Sequence, residues 1–195
     1  MAFIMPASAN AKQRWQMLLC AAGLWLSCSH AGAYGVGIVE AGLRAEKQWY
    51  VLSADIDYRL SPVAKKALRS GIPLLWTIQV GIYRERPYLW DKKVHYRKNL
   101  YRIRYHPLMN VYQVKDQGKG SVENFLTLAG ALGALGRVRD MHIVEIRRLD
   151  PRHSYYAAIK ASFDREALPL PLRPVAYVNA DWSLSSDWYR CPIKK

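Results

Sequence analysis

Apolar and polar positions alternate with a period of two over much of the chain. In residues 49–60 (WYVLSADIDYRL), Tyr50, Leu52, Ala54, Ile56, Tyr58 and Leu60 share one face, and Ser53, Asp55, Asp57 and Arg59 share the other. That is the pattern of a strand buried on one side. Residues 36–45 predict a partner strand with Val39, Ala41 and Leu43 inward, joined to it as a hairpin through the polar turn Glu46-Lys47-Gln48. Residues 73–86 alternate again, with Leu74, Trp76, Ile78, Val80 and Ile82 on one face and Thr77, Gln79, Gly81 and Tyr83 on the other. Residues 94–105 place Tyr101, Ile103 and Tyr105 inward and Arg102 and Arg104 outward; Pro107 ends that strand, and residues 110–114 read as its partner. Further strands are predicted over 141–149, 155–163 and 175–178.

Two helices interrupt this pattern. Ser61 is an N-cap followed by Pro62 at the first helical position, Lys65, Lys66 and Arg69 lie further along, and Gly71 is the stop. After the turn residues 116–120 (DQGKG), Ser121 reads as a second cap. Val122, Phe125, Leu128, Ala129, Leu132 and Leu135 then recur at helical spacing as far as Gly136. Gly130 and Gly133 weaken that helix by about 1 kcal/mol each relative to Ala. The Pro-rich run 168–174 reads as an extended edge connection. About eight strands with short turns and two inserted α-helices predict a mainly β fold, an antiparallel β-sandwich or partly closed barrel.

Residues 1–33 have a different character. Lys12 and Arg14 precede the apolar run 17–26 (MLLCAAGLWL), and Ala31-Gly32-Ala33 follows before Tyr34. This is the order of a secretory signal peptide, with cleavage expected after Ala33, export to the periplasm, and one β-rich domain over 34–195. The apolar core is shorter than the ~20 residues a membrane span needs, so no transmembrane span is expected in the mature chain. An uncleaved anchor, a buried first helix and a lipid-modified Cys28 are the competing readings; for the last, Trp25 stands where such sites usually have Leu. Of the three cysteines only Cys191 lies beyond residue 33. It has no partner for an intramolecular disulfide and no His or Cys near it in sequence at zinc-site spacing, and reads as a thiol near a loose C-terminus.

Composition excludes collagen-like and low-complexity classes, with 51% hydrophobic residues, 12 Gly and 10 Pro. Charge changes the picture more. The chain has 29 Lys and Arg against 15 Asp and Glu, and removal of residues 1–33 leaves a net charge of +12. Such a field favours anionic partners. For an exported protein these are lipid headgroups, acidic cell-wall polymers or an acidic protein surface, and no nucleic acid is expected.

Several motifs recur together in one known family. They are Leu60-Ser61-Pro62 with Ala67-Leu68 and Gly71-Ile72-Pro73-Leu74, then Tyr101-Arg102-Ile103-Arg104-Tyr105-His106 with Leu108. The run 168–172 (LPLPL) and the segment 182–188 (WSLSSDW) complete the series. Over nearly all of the mature chain the sequence resembles domain-of-unknown-function family 4390, a group of uncharacterised secreted proteins of Gram-negative bacteria. The resemblance implies an exported single-domain protein whose gene often neighbours those for a ribosomal RNA methyltransferase and a two-component sensor kinase. It implies no activity.

The candidate anion- or partner-binding residues are Lys92, Lys93, Arg97, Lys98, Arg102 and Arg104, with Lys98, Arg102 and Arg104 on one strand face, and His95 and His106 flanking. A solvated face that discourages edge-to-edge aggregation is the competing reading. Asp55 and Asp57, two apart on an outward face, are candidate paired carboxylates of an envelope hydrolase, with cross-strand pairing to Lys or Arg the preferred role. Trp90, Trp182 and Trp188 lie in or beside turns, where they serve as sugar platforms or, more commonly, as buried end-caps. No G-x-S-x-G, H-E-x-x-H, P-loop or Cys/His metal pattern occurs, and no cofactor, metal or catalysis is expected. The expected function is a periplasmic binding or interaction module whose anionic partner is a sensor-kinase ectodomain, an envelope lipid or a cell-wall polymer. A structural envelope protein without a ligand is the remaining alternative.

Overall fold

The computed structural model describes residues 34–194, and among these nine strands hydrogen-bond into one sheet. The expected signal segment and its cleavage point lie outside the described residues. In chain order the strands are β1 (Gly35–Glu46), β2 (Trp49–Arg59), β3 (Leu74–Arg84), β4 (Lys92–His106), β5 (Val111–Asp116), β6 (Val122–Phe125), β7 (Arg137–Glu145), β8 (Tyr155–Phe163) and β9 (Tyr189–Lys194). The helices are α1 (Pro62–Arg69), α2 (Leu128–Gly136) and α3 (Arg173–Val178).

Across the sheet the order is β6-β5-β4-β3-β8-β9-β1-β2-β7, antiparallel throughout except where β9 meets β1. The sheet curls into a half-barrel, so that β7 approaches β4 without pairing to it. The fold is therefore the partly closed barrel and not the sandwich. The reason is β9, which joins the β3–β8 half to the β1–β2–β7 half. Cys191, expected on a loose tail, is buried in this joining strand. Its six-residue length and Pro192 conceal the strand in the sequence, although Tyr189, Cys191 and Ile193 alternate with Arg190, Pro192 and Lys194.

The concave face holds the core. Trp76, Ile78, Val80, Ile82, Ile159 and Ala161 are fully buried, as the alternation predicts. Aromatic rings run through the core in a chain. Tyr58 meets Trp76 edge-on at 5.1 Å, Trp76 meets Phe163 at 5.3 Å, and Phe163 stacks on Trp182 at 5.9 Å. The Trp76 indole N–H donates to the Leu184 carbonyl at 2.8 Å, tying β3 to the segment before β9.

Hairpin β1–β2 forms as expected, with one change of parity. A bulge at Val39 lets Ile38 pair with Ile56 and Glu40 with Asp55, so Val39 is left exposed while Ala41 and Leu43 point inward. Helix α1 follows its local signals: the buried Ser61 hydroxyl accepts from the Ala64 N–H at 3.1 Å, and Gly71 takes φ +82°. Two expectations are corrected. The helix read from Ser121 begins only at Leu128, capped by Thr127, because Val122–Phe125 pairs with β5 as an edge strand. Residues 175–178, read as a strand, belong to α3, where Pro174 occupies the first turn.

Helix α2 lies across the mouth of the half-barrel. It touches β2 and β7 at one lip and β4, β5 and β6 at the other. Gly136 seats it so closely that a Cβ there would lie 2.1 Å from the Ile56 carbonyl oxygen. Among the described residues no helix is long and apolar enough to cross a membrane.

Candidate anion-binding surface

Strand β4 is 15 residues long, and its even-numbered positions from Tyr96 to Arg104 point outward while Asn99, Tyr101 and Ile103 are buried. Lys98, Arg102 and Arg104 therefore share the convex face, as the alternation requires. Lys93 joins them, because the irregularity between Ile82 and Tyr83 shifts the parity of the strand's first residues. The Tyr96 ring stands between two ammonium groups, Lys93 at 5.2 Å and Lys98 at 5.6 Å from its centroid. Its hydroxyl donates to Gln79 at 2.8 Å, and Gln79 donates to Ser162 at 3.0 Å, fixing the ring against β3 and β8. Loss of hydration raises the Tyr96 phenol pKa, and the nearby Lys93 opposes that shift.

Lys115 belongs to the same surface. Through the β4–β5 register it stands directly opposite Arg102, while Gln113 faces Arg104. Sequence reasoning missed it, although it alternates outward with Gln113 in a hairpin whose turn was recognised. None of Lys92, Lys93, Arg97, Lys98, Arg102, Arg104 or Lys115 lies within 4.0 Å of a described carboxylate. The carboxylates that do form ion pairs serve other cations, among them Arg59, Arg139, Arg147 and Arg190.

Arg97 is separated from this group. Being odd-numbered it shares the face of Asn99 and Tyr101, and it lines a cavity of about 320 Å³ in the seam between β4 and β7 with Lys119 and His142. A neighbouring cavity of about 240 Å³ contains Tyr101, Asp116, Lys119 and Arg137. Asp116 is held there by the Asn99 amide at 2.8 Å and by the backbone N–H groups of Gly118 and Lys119. Burial, reinforced by the Asp116 charge, pushes the Tyr101 phenol far above its ordinary pKa. The Lys119 ammonium donates to the Arg139 carbonyl at 2.7 Å and bridges the seam.

A family model described as Domain of unknown function (DUF4390) matches residues 33–192. The chain belongs to this family. No curated protein and no solved structure matches it. In this DUF4390 chain Asp55 and Asp57 do not act as a pair: Asp55 is held by Arg139, and Asp57 by Arg59 at 2.7 Å, both on the convex face. Asp55 lines a shallow depression with Glu40 and Arg44 that Asp57 does not reach. Among the described residues no three His, Cys, Asp or Glu side chains gather as metal ligands would. The three turn tryptophans part company. Trp182 is buried at the end of the aromatic chain, Trp188 is half exposed beneath Lys160, and Trp90 is 89% exposed.

Proposed function

We propose that this protein is an exported binding module that holds an anionic partner against the convex face of β4 and β5. The observation that carries the reading is a concentration of cations without counter-charge. Lys93, Lys98, Arg102, Arg104 and Lys115 lie on one sheet face, and no described carboxylate approaches any of them. Cations that serve only solubility are usually interspersed with acids, which here are spent elsewhere. A sheet face with forked guanidinium groups suits phosphate or carboxylate oxygens, which accept two parallel hydrogen bonds from Arg.

The test is retention on an immobilised polyanion such as heparin, across a salt gradient. The Lys98→Gln/Arg102→Gln/Arg104→Gln variant should elute at clearly lower salt than the parent, whereas Arg97→Gln, which removes a charge from the seam, should elute close to it. A loss from the triple variant only about three times that from Arg97→Gln, in proportion to the charges removed, would mean that net charge alone is being read, and an unchanged triple variant would remove this surface from the function.

A further inference from the structure

One feature of the surface is apolar and protrudes. The loop between β3 and β4 exposes Tyr88 fully, Leu89 at 64% and Trp90 at 89%. Three consecutive large apolar side chains in water are costly, and such a patch marks a contact surface. The loop is held in shape with these side chains outward. Arg86 Nε donates to the Trp90 carbonyl at 2.9 Å with Nη2 on the same oxygen, and Tyr88 takes the left-handed φ of 63°.

The charges around the tip are sorted by sign. The two acids at its base, Glu85 and Asp91, both face Arg190 at 3.5 and 3.3 Å, and Asp91 also accepts from the Tyr156 hydroxyl at 2.8 Å. Arg190 is itself laid over the Tyr156 ring at 3.4 Å. Arg86, Lys92 and Lys93 have no described carboxylate within ion-pair distance. What projects is an aromatic and aliphatic tip with an unneutralised cationic collar.

We propose that this loop docks the protein on a bilayer containing anionic phospholipid, with Tyr88, Leu89 and Trp90 entering the headgroup region and Arg86, Lys92 and Lys93 meeting the phosphates. Tyr and Trp favour that region because an apolar ring and a polar atom are satisfied at one depth, and basic side chains beside them add electrostatic attraction. A convex tip also fits a deformable surface better than a rigid groove, and Leu89 has no place in a sugar-stacking platform. This inference rests on the anion-binding reading and names the partner met at the Lys92 end of the strip. Twelve residues at ~3.3 Å each place Arg104 about 40 Å from Lys92, several screening lengths away, so the two ends can be tested separately.

The experiment is cosedimentation of the purified protein with phosphatidylethanolamine vesicles with and without phosphatidylglycerol, alongside heparin retention. The parent should bind only vesicles containing phosphatidylglycerol, and brominated phosphatidylglycerol should quench its Trp fluorescence. The Tyr88→Ser/Leu89→Ser/Trp90→Ser variant should lose about tenfold or more in vesicle partitioning and lose the quenching, with heparin elution kept. A parent that ignores anionic vesicles, or a triple-Ser variant that binds them as well as the parent, overturns the proposal. Failure of the strip itself appears differently, as unchanged heparin elution of the Lys98/Arg102/Arg104 variant.

Discussion

Arg102 and Lys115 stand directly opposite each other across the β4–β5 ladder, two like charges on the convex face of the sheet with no described carboxylate within ion-pair distance of either. Directly opposed like charges destabilise a sheet, typically by a few tenths to about 1 kcal/mol. The fold keeps this arrangement close to Lys98 and Arg104. A surface that carries an electrostatic cost in the free protein is one that an arriving anion relieves, which connects the packing of β4 and β5 to the proposed binding.

Neutralising either member should therefore stabilise the free protein. Lys115→Gln is expected to raise stability by about 0.2–1 kcal/mol at low salt, measured by urea unfolding, and the gain should shrink as salt screens the parent's repulsion. The same substitution should lower retention on a polyanion. Stability and binding moving in opposite directions is the signature of a functional charge cluster; a loss of both would show that Lys115 supports the fold instead.

Two glycines of α2 should respond with opposite sign. Gly133 is exposed and has no atom within 4 Å of where a Cβ would sit, so Gly133→Ala should stabilise by about 0.5–1 kcal/mol through helix propensity. At Gly136 the same methyl would meet the Ile56 carbonyl at 2.1 Å, and backbone cannot give way as a side-chain tip does. Gly136→Ala should cost about 1–3 kcal/mol. Thermal melts of the two variants give the comparison, and hydrogen exchange in β2 around Ile56 should rise only in the second.

Cys191 should be unreactive in the folded protein. Burial in β9 pushes its thiol from 9.0 up to about 11. Alkylation by iodoacetamide at pH 8 should be slow until denaturant is added, because only the thiolate attacks. The sign of the pH dependence follows from the same shift. The unfolded thiol loses its proton first, so this contribution is intact below pH 9.0 and is lost as pH rises towards about 11. Melts of the parent between pH 8 and 10.5 should fall more steeply than those of Cys191→Ala.

Signals confined to a few residues were legible, and those set by distant pairing were not. Ser61, Pro62 and Gly71 specify α1 within eleven residues of chain, and alternation specifies β3 and the outward face of β4. The bulge at Val39 inverts parity in β1, and nothing in Ile38-Val39-Glu40 announces it; it appears only against β2. Val122 and Phe125 have helical spacing, yet the neighbouring edge of β5 takes them as a strand before Thr127 can cap the helix. Of the binding surface, Lys98, Arg102 and Arg104 were readable. Lys115 needed the β4–β5 register. The tip at Tyr88, Leu89 and Trp90 needed the knowledge that none of the described elements covers it.

Tyr58 supplies a final check on the core. Its ring is buried edge-on against Trp76, its hydroxyl has no hydrogen-bond partner among the described residues, and burial holds the phenol far above its ordinary pKa. A buried hydroxyl without a partner loses its hydration with nothing in return, at a cost of about 1–3 kcal/mol. Phe keeps the ring and the contact with Trp76 while removing that oxygen. Tyr58→Phe should therefore raise the urea midpoint with little change in the slope of the transition, whereas Trp76→Ala, which opens a cavity and orphans the Leu184 carbonyl, should cost about 3–5 kcal/mol. If Tyr58→Phe is instead destabilising by more than about 1 kcal/mol, the hydroxyl has a partner inside the barrel, and the aromatic chain surrounds a polar site rather than a dry core.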